Sequence, residues 1–112
     1  MIDQGSLDQI VGKIREVISP VRIVLFGSAA RGTEKDSSDL DVLVVAPEGT
    51  HRRRTAQNIY MNFLEIDHSV DLVVATESDL EKHGDNFSLV YYPAIREGRE
   101  IYVSAEANTR LT

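Results

Sequence analysis

The run Asp39-Leu40-Asp41-Val42-Leu43-Val44-Val45 sets two carboxylates at the head of an otherwise apolar segment. Side chains on a strand alternate between faces, so residues two apart point the same way, with Cα atoms about 6–7 Å apart. Asp39 and Asp41 therefore converge on one site, while Leu40, Val42 and Val44 turn toward a core. Like charges that close repel, and burying a lone carboxylate is costly, so something of opposite charge has to compensate them. Clustered carboxylate oxygens suit hard divalent ions, and Mg²⁺ in particular is held by one or two carboxylates together with substrate phosphates. A third acid, Asp71 in Val70-Asp71-Leu72-Val73-Val74, completes the set if its strand lies beside the first. Such a cluster can hold two metals about 3.5–4 Å apart, which stabilises the attacking and leaving oxygens of phosphoryl chemistry.

Upstream, Gly27-Ser28 ends another short apolar run. A glycine there permits close backbone approach, and the amides that follow, with the Ser28 hydroxyl, can bind phosphate oxygens. Arg31 is either a further phosphate donor or a surface ion-pair partner. A phosphate cradle and a metal cluster separated by one loop make a nucleoside triphosphate site. Ser28 has no histidine base at a readable distance, which argues against a nucleophilic serine. His68 and His83 have no partner at metal spacing and read as ordinary surface histidines.

The elements that must position these residues follow from periodicity. Leu7, Ile10, Val11, Ile14, Val17 and Ile18 recur at helical spacing, with Ser6 and Gln9 placed as a capping box and Ser19-Pro20 as a stop. Val21 to Phe26 and Asp39 to Val45 read as strands, and Pro47 and Gly49 end the second. Ala56, Ile59, Tyr60, Phe63 and Leu64 predict a helix from about His51 to Glu65, and Val70 to Val74 a third strand. Thr76 and Asp79 suggest a short helix to about Lys82, Ser88 to Glu97 a helix interrupted by Pro93, and Arg99 to Val103 a last strand. Residues 1–103 thus form one domain and 104–112, without apolar period, a disordered tail. The fold class is α/β (α+β), a small mixed sheet flanked by helices.

Gly27-Ser28, ten intervening residues, then Asp39-Leu40-Asp41 matches the signature of the DNA polymerase beta-like nucleotidyltransferase superfamily. More narrowly, Gly27-Ser28-Ala29-Ala30-Arg31-Gly32 followed by Ser38-Asp39-Leu40-Asp41 resembles the minimal nucleotidyltransferases, the MNT proteins. The resemblance spans most of the chain, including the leading helix, the strand that carries Asp71 and the Arg96-Glu97-Gly98-Arg99 region. It implies that Gly27 and Ser28 bind triphosphate, that Asp39 and Asp41 hold both metals, and that Asp71 holds the metal that activates the attacking hydroxyl. It also implies transfer of a nucleoside monophosphate from a triphosphate, ATP as donor, with release of pyrophosphate. Minimal members commonly pair with HEPN proteins as antitoxins that place AMP on a tyrosine of the toxin.

Composition bounds the rest. With 112 residues, 42% of them hydrophobic and no cysteine, the chain suits one ordinary domain and has neither a disulfide framework nor a thiolate metal site. No apolar run approaches a membrane span and no signal-peptide pattern opens the chain, so a cytoplasmic location is expected. A net charge of −6 argues against direct nucleic-acid binding. The block His51-Arg52-Arg53-Arg54 is the exception, either a solvated helix start or a contact for an acidic partner or for phosphates. Besides protein modification, two alternatives remain open: transfer to a small hydroxyl compound such as an aminoglycoside, and a non-catalytic protein-binding module.

Overall fold

The computed structural model describes residues 4–26, 40–66, 69–78 and 98–105. In chain order these form helix α1 (Gln4–Arg15), strand β1 (Arg22–Phe26), strand β2 (Leu40–Ala46), helix α2 (Arg52–Asn62), strand β3 (Val70–Thr76) and strand β4 (Arg99–Val103). The strands make one mixed sheet in the order β3-β2-β1-β4. β1 runs antiparallel to both β2 and β4, whereas β2 and β3 are parallel and α2 is their crossover. Parallel neighbours cannot be joined by a hairpin, and a helix is the usual link.

β2 is apolar on both faces, and each face has its own core. Leu40, Val42, Val44 and Ala46 join Ile23, Leu25 and Val74 under the helices, where Leu7, Ile10 and Ile14 of α1 meet Ile59 and Phe63 near α2's far end. The opposite face buries Leu43 and Val45 with Val24 and Ala75, bordered by Val21, Phe26 and Val73. The sequence assigned burial only to the Leu40 face; the other is covered as well, as an uninterrupted Leu43–Ala46 run in an interior parallel-paired strand requires.

α1 begins earlier than the capping-box pattern places it. Gln4 is already helical and its amide donates to Asp8 Oδ1 at 2.9 Å, an i,i+4 pair that puts Ser6 inside the helix rather than at its cap. The helix also stops before Ser19-Pro20, because the N–H groups of Val17 and Ile18 both return to the Ile14 carbonyl and close the last turn. Asn62 ties the two helices together: its side-chain amide donates to the Lys13 carbonyl at 2.8 Å and satisfies an acceptor that the end of α1 leaves open.

Between β2 and α2 the chain turns at Pro47-Glu48-Gly49-Thr50. Thr50 returns both its N–H and its hydroxyl to the Pro47 carbonyl, and Gly49 takes a φ of 86°, a conformation that side chains resist. His51 is the N-cap of α2, its Nδ1 accepting the Arg54 N–H at 3.2 Å. α2 opens on Arg52, Arg53 and Arg54 with no acid in the first turn, against the sense of the helix dipole. β4 meets β1 through a bulge: Ile23 faces Tyr102 and Val24 faces Glu100, so Ile101 has no partner in the ladder, and both Ile101 and Tyr102 pack on the helical core. Arg22 on β1 reaches across to Glu100 at 2.7 Å. The helix expected from Thr76 begins at Glu77-Ser78, after Thr76 closes β3, and the Ser78 N–H is bonded to Glu48 Oε1 at 2.9 Å. Its remainder, the expected helix at 88–97 and residues 106–112 lie outside the described residues, while Ser104 donates its N–H to the Val21 carbonyl.

Two substitutions weigh the two faces of the sheet. Ile59→Ala removes a side chain that is 0% exposed under α2, and Leu43→Ala one that is 0% exposed on the other face. Each is expected to lower stability by about 2–5 kcal/mol in urea unfolding. A loss below about 1 kcal/mol for Leu43→Ala would mean that the second face is not packed as a core.

Candidate active site

Register, rather than sequence spacing, assembles the acids within the described residues. Asp41 on β2 and Asp71 on β3 are direct partners in the parallel ladder. Neighbouring strands are about 4.7–4.9 Å apart, and side chains at paired positions leave the sheet on the same side. Asp41 shares its face with Leu43 and Val45, Asp71 with Val73 and Ala75, so both carboxylates stand on the face away from α1 and α2. They occupy the end of that face where the second core stops.

The two acids differ in setting. β2 is interior and paired on both sides, so Asp41 lies between Asp71 on β3 and Phe26 on β1 and is half-buried. β3 is the edge strand of the described sheet, and Asp71 is exposed. One carboxylate is thus held in a closed position and the other is open to an incoming molecule. Like charges directly opposite one another destabilise a sheet. That cost is characteristic of a position that carries chemistry rather than packing.

Gly27, Ser28, Arg31 and Asp39 lie outside the described residues. The flanking strands bear on them only through their ends: β1 finishes at Phe26, paired with Asp41, and β2 starts at Leu40. The described chain therefore leaves the sheet at Phe26 and rejoins it at Leu40, at the end that carries the acid pair. Among the described residues no group of three or more histidines, cysteines or acids is placed to hold a metal. Asp41 and Asp71 are two hard oxygen donors side by side, a donor set that suits Mg²⁺ completed by phosphate oxygens.

Two further features stand apart from the acids. A hollow of about 400 Å³ lined by Pro20, Pro47, Glu48, Glu77 and Tyr102 opens at Ala46, the far end of β2 from Asp41. Arg52 and Arg53 line a cleft of about 400 Å³ against Leu72, Val73 and Val74. α2 follows Ala46, the end of β2 away from Asp41, and packs on the face opposite the acids, while Arg52 and Arg53 reach the β3 edge at Leu72 and Val73, just past Asp71. The sequence did not reveal the role of Tyr60, whose hydroxyl accepts the Leu72 N–H of the edge strand at 2.8 Å. No spacing rule carries such a contact.

The comparisons agree with this architecture. The nucleotidyltransferase domain family matches residues 7–97. Among solved structures, a toxin–antitoxin crystallised with AMP-PNP is 23% identical, with 93% of this chain and 78% of that one covered and a TM-score of 0.62. A MntA–HpeT toxin–antitoxin variant with two aspartates changed to glutamate is 20% identical over 93% of this chain and 78% of that one, TM-score 0.63. A complex of tri-AMPylated HEPN toxin with MNT antitoxin from Shewanella oneidensis is 19% identical over 97% of this chain and 79% of that one, TM-score 0.61. At these identities the likeness is one of fold. No curated protein matches the chain. With a mixed sheet that pairs Asp41 with Asp71 and a family match over most of its length, the chain belongs to the nucleotidyltransferase domain family.

Proposed function

We propose that this protein is a Mg²⁺-dependent nucleotidyltransferase that moves AMP from ATP to a hydroxyl of a partner protein, acting as the antitoxin of a HEPN/MNT pair. The observation that carries the reading is the register that makes Asp41 and Asp71 neighbours on one face, in a chain of the nucleotidyltransferase domain family. It is supported by the fold shared with a complex crystallised with AMP-PNP and with one in which an MNT antitoxin is bound to a tri-AMPylated HEPN toxin.

In this reading Asp39, Asp41 and Asp71 hold the metal, and Gly27, Ser28 and Arg31 receive the triphosphate. Bound Mg²⁺ supplies electrostatic stabilisation of the charge that develops on the phosphoryl oxygens. The acceptor hydroxyl gives up its proton to water as its oxygen bonds to the α-phosphorus, the bond from that phosphorus to the bridging oxygen breaks, and pyrophosphate departs with the electron pair. The contribution of the chain is positioning. Asp41 is fixed between two strands, whereas Asp71 at the edge leaves the acceptor hydroxyl an approach from the β3 side.

Two outcomes test this reading. Incubation with Mg²⁺ and α-labelled ATP, together with a co-purified HEPN-domain partner, is expected to label the partner, and Asp41→Asn to reduce labelling at least about a hundredfold, as the loss of a principal electrostatic group does. Labelling unchanged in Asp41→Asn would overturn the assignment. Asp71→Asn relieves the like-charge contact and is expected to raise stability by about 0.2–1 kcal/mol in EDTA. The rise in melting temperature that Mg²⁺ and ATP give the wild type should shrink or disappear in the same variant, because that rise measures binding to the folded state. An equal rise in both proteins would remove Asp71 from the site.

A further inference from the structure

The outer surface of α2 combines a basic end and an apolar end. Its first turn is a run of exposed arginines placed against the helix dipole, with no acid among them. All the large hydrophobic residues exposed among the described residues also fall on α2 and the turn that ends it: Tyr60 at 42%, Met61 at 68% and Leu64 at 77%. Helical spacing arranges them in two adjacent rows, Arg53-Gln57-Tyr60 and Arg54-Asn58-Met61. Each row reads cation, amide, apolar along about 10 Å of helix. Leu64 adds to the apolar end, and the Tyr60 hydroxyl on the Leu72 N–H sets that end beside β3, the strand that carries Asp71.

We propose that this face of α2 is the docking surface for a protein segment that is acidic at one end and apolar at the other. Acidic side chains of the partner meet the arginine end, and its apolar side chains cover Tyr60, Met61 and Leu64. Charge complementarity selects this occupant. A second copy of the chain, packed face to face by a two-fold axis, would offer the three arginines of one copy a single carboxylate at the patch's edge, Glu65 of the other. Nucleic acid would satisfy the arginines but would leave the apolar end uncovered, and the chain as a whole carries a net charge of −6. A β-strand added to the β3 edge is opposed by Tyr60, whose hydroxyl already takes the Leu72 N–H. A partner lying along α2 with its apolar end at Leu64 reaches the edge of the sheet at which Asp71 is exposed. Only this last placement rests on the transferase reading; the docking surface does not.

The test is selection of a displayed library of random 16-residue peptides against the purified protein, followed by fluorescence anisotropy of the enriched peptides. The expected winners carry a cluster of Asp or Glu next to apolar residues at helical spacing. Their affinity should fall at least tenfold in Arg53→Glu/Arg54→Glu and, separately, in Met61→Ser/Leu64→Ser. Arg53→Glu/Arg54→Glu places acids at the helix start, so its melting temperature should hold or rise while binding is lost, which separates docking from folding. Enrichment of basic peptides, no enrichment, or winners insensitive to both variants would overturn the proposal. So would a single-stranded oligonucleotide that binds more tightly than any peptide and loses affinity in Arg53→Glu/Arg54→Glu, or concentration-dependent dimerisation that Met61→Ser/Leu64→Ser abolishes. Because the assay reads binding without nucleotide, its failure leaves the transfer reaction standing, and failure of transfer leaves the docking result standing.

Discussion

Everything in this fold depends on how β2 is held. It pairs with β1 on one side and with β3 on the other, and from Leu43 to Ala46 its side chains are buried on both faces. A strand fixed in that way cannot slip: a shift of one residue would exchange the two cores and carry Asp41 to the side of the helices. The register with β3, from Leu40 opposite Val70 to Ala46 opposite Thr76, is therefore set by apolar packing along most of its length. Its chemical consequence appears at the start, where Asp41 meets Asp71. Stability is provided at one end of the strand pair and spent at the other.

The crossover helix extends this logic. A parallel β2–β3 pair needs a connection that returns along the sheet, so α2 must lie on one face and leave the other to the acids. Its inner side is a core element, with Ile59 and Phe63 against α1 and the sheet. Its outer side adds nothing to the buried core, and there the arginines and exposed apolar residues collect. In the proposed reading the same helix separates the docking surface from the acid site.

Much of this was legible in the sequence, and the exceptions have physical causes. The alternation in Asp39 to Val45 assigned Leu40, Val42 and Val44 to the helical core, and they lie there. The proximity of Asp71 required only that its strand be a neighbour of β2, which the short β–α–β spacing favours, and the structure makes it the direct partner of Asp41. The start of α1 was misplaced because Ser6 and Gln9 satisfy the capping pattern locally, while Gln4 pairs with Asp8 and begins the helix a turn earlier. The bulge at Ile101, the hydroxyl of Tyr60 on the β3 edge and the Asn62 bridge to α1 had no sequence signal, since each is a contact between elements and not a property of one. Of the candidate site, Asp41 and Asp71 lie in the described sheet, whereas Gly27, Ser28, Arg31 and Asp39 lie outside the described residues.

In the proposed reading Asp41 and Asp71 form one divalent-cation site used with a nucleotide. The most direct measurement replaces Mg²⁺ with paramagnetic Mn²⁺ and follows the backbone amide signals of the protein by NMR in the presence of ATP. The account predicts that Asp41 and Asp71 broaden together at the lowest Mn²⁺ additions, ahead of Glu48 and Glu77 at the far end of the sheet. Earlier broadening at Glu48 and Glu77, or at only one of the paired aspartates, would contradict it.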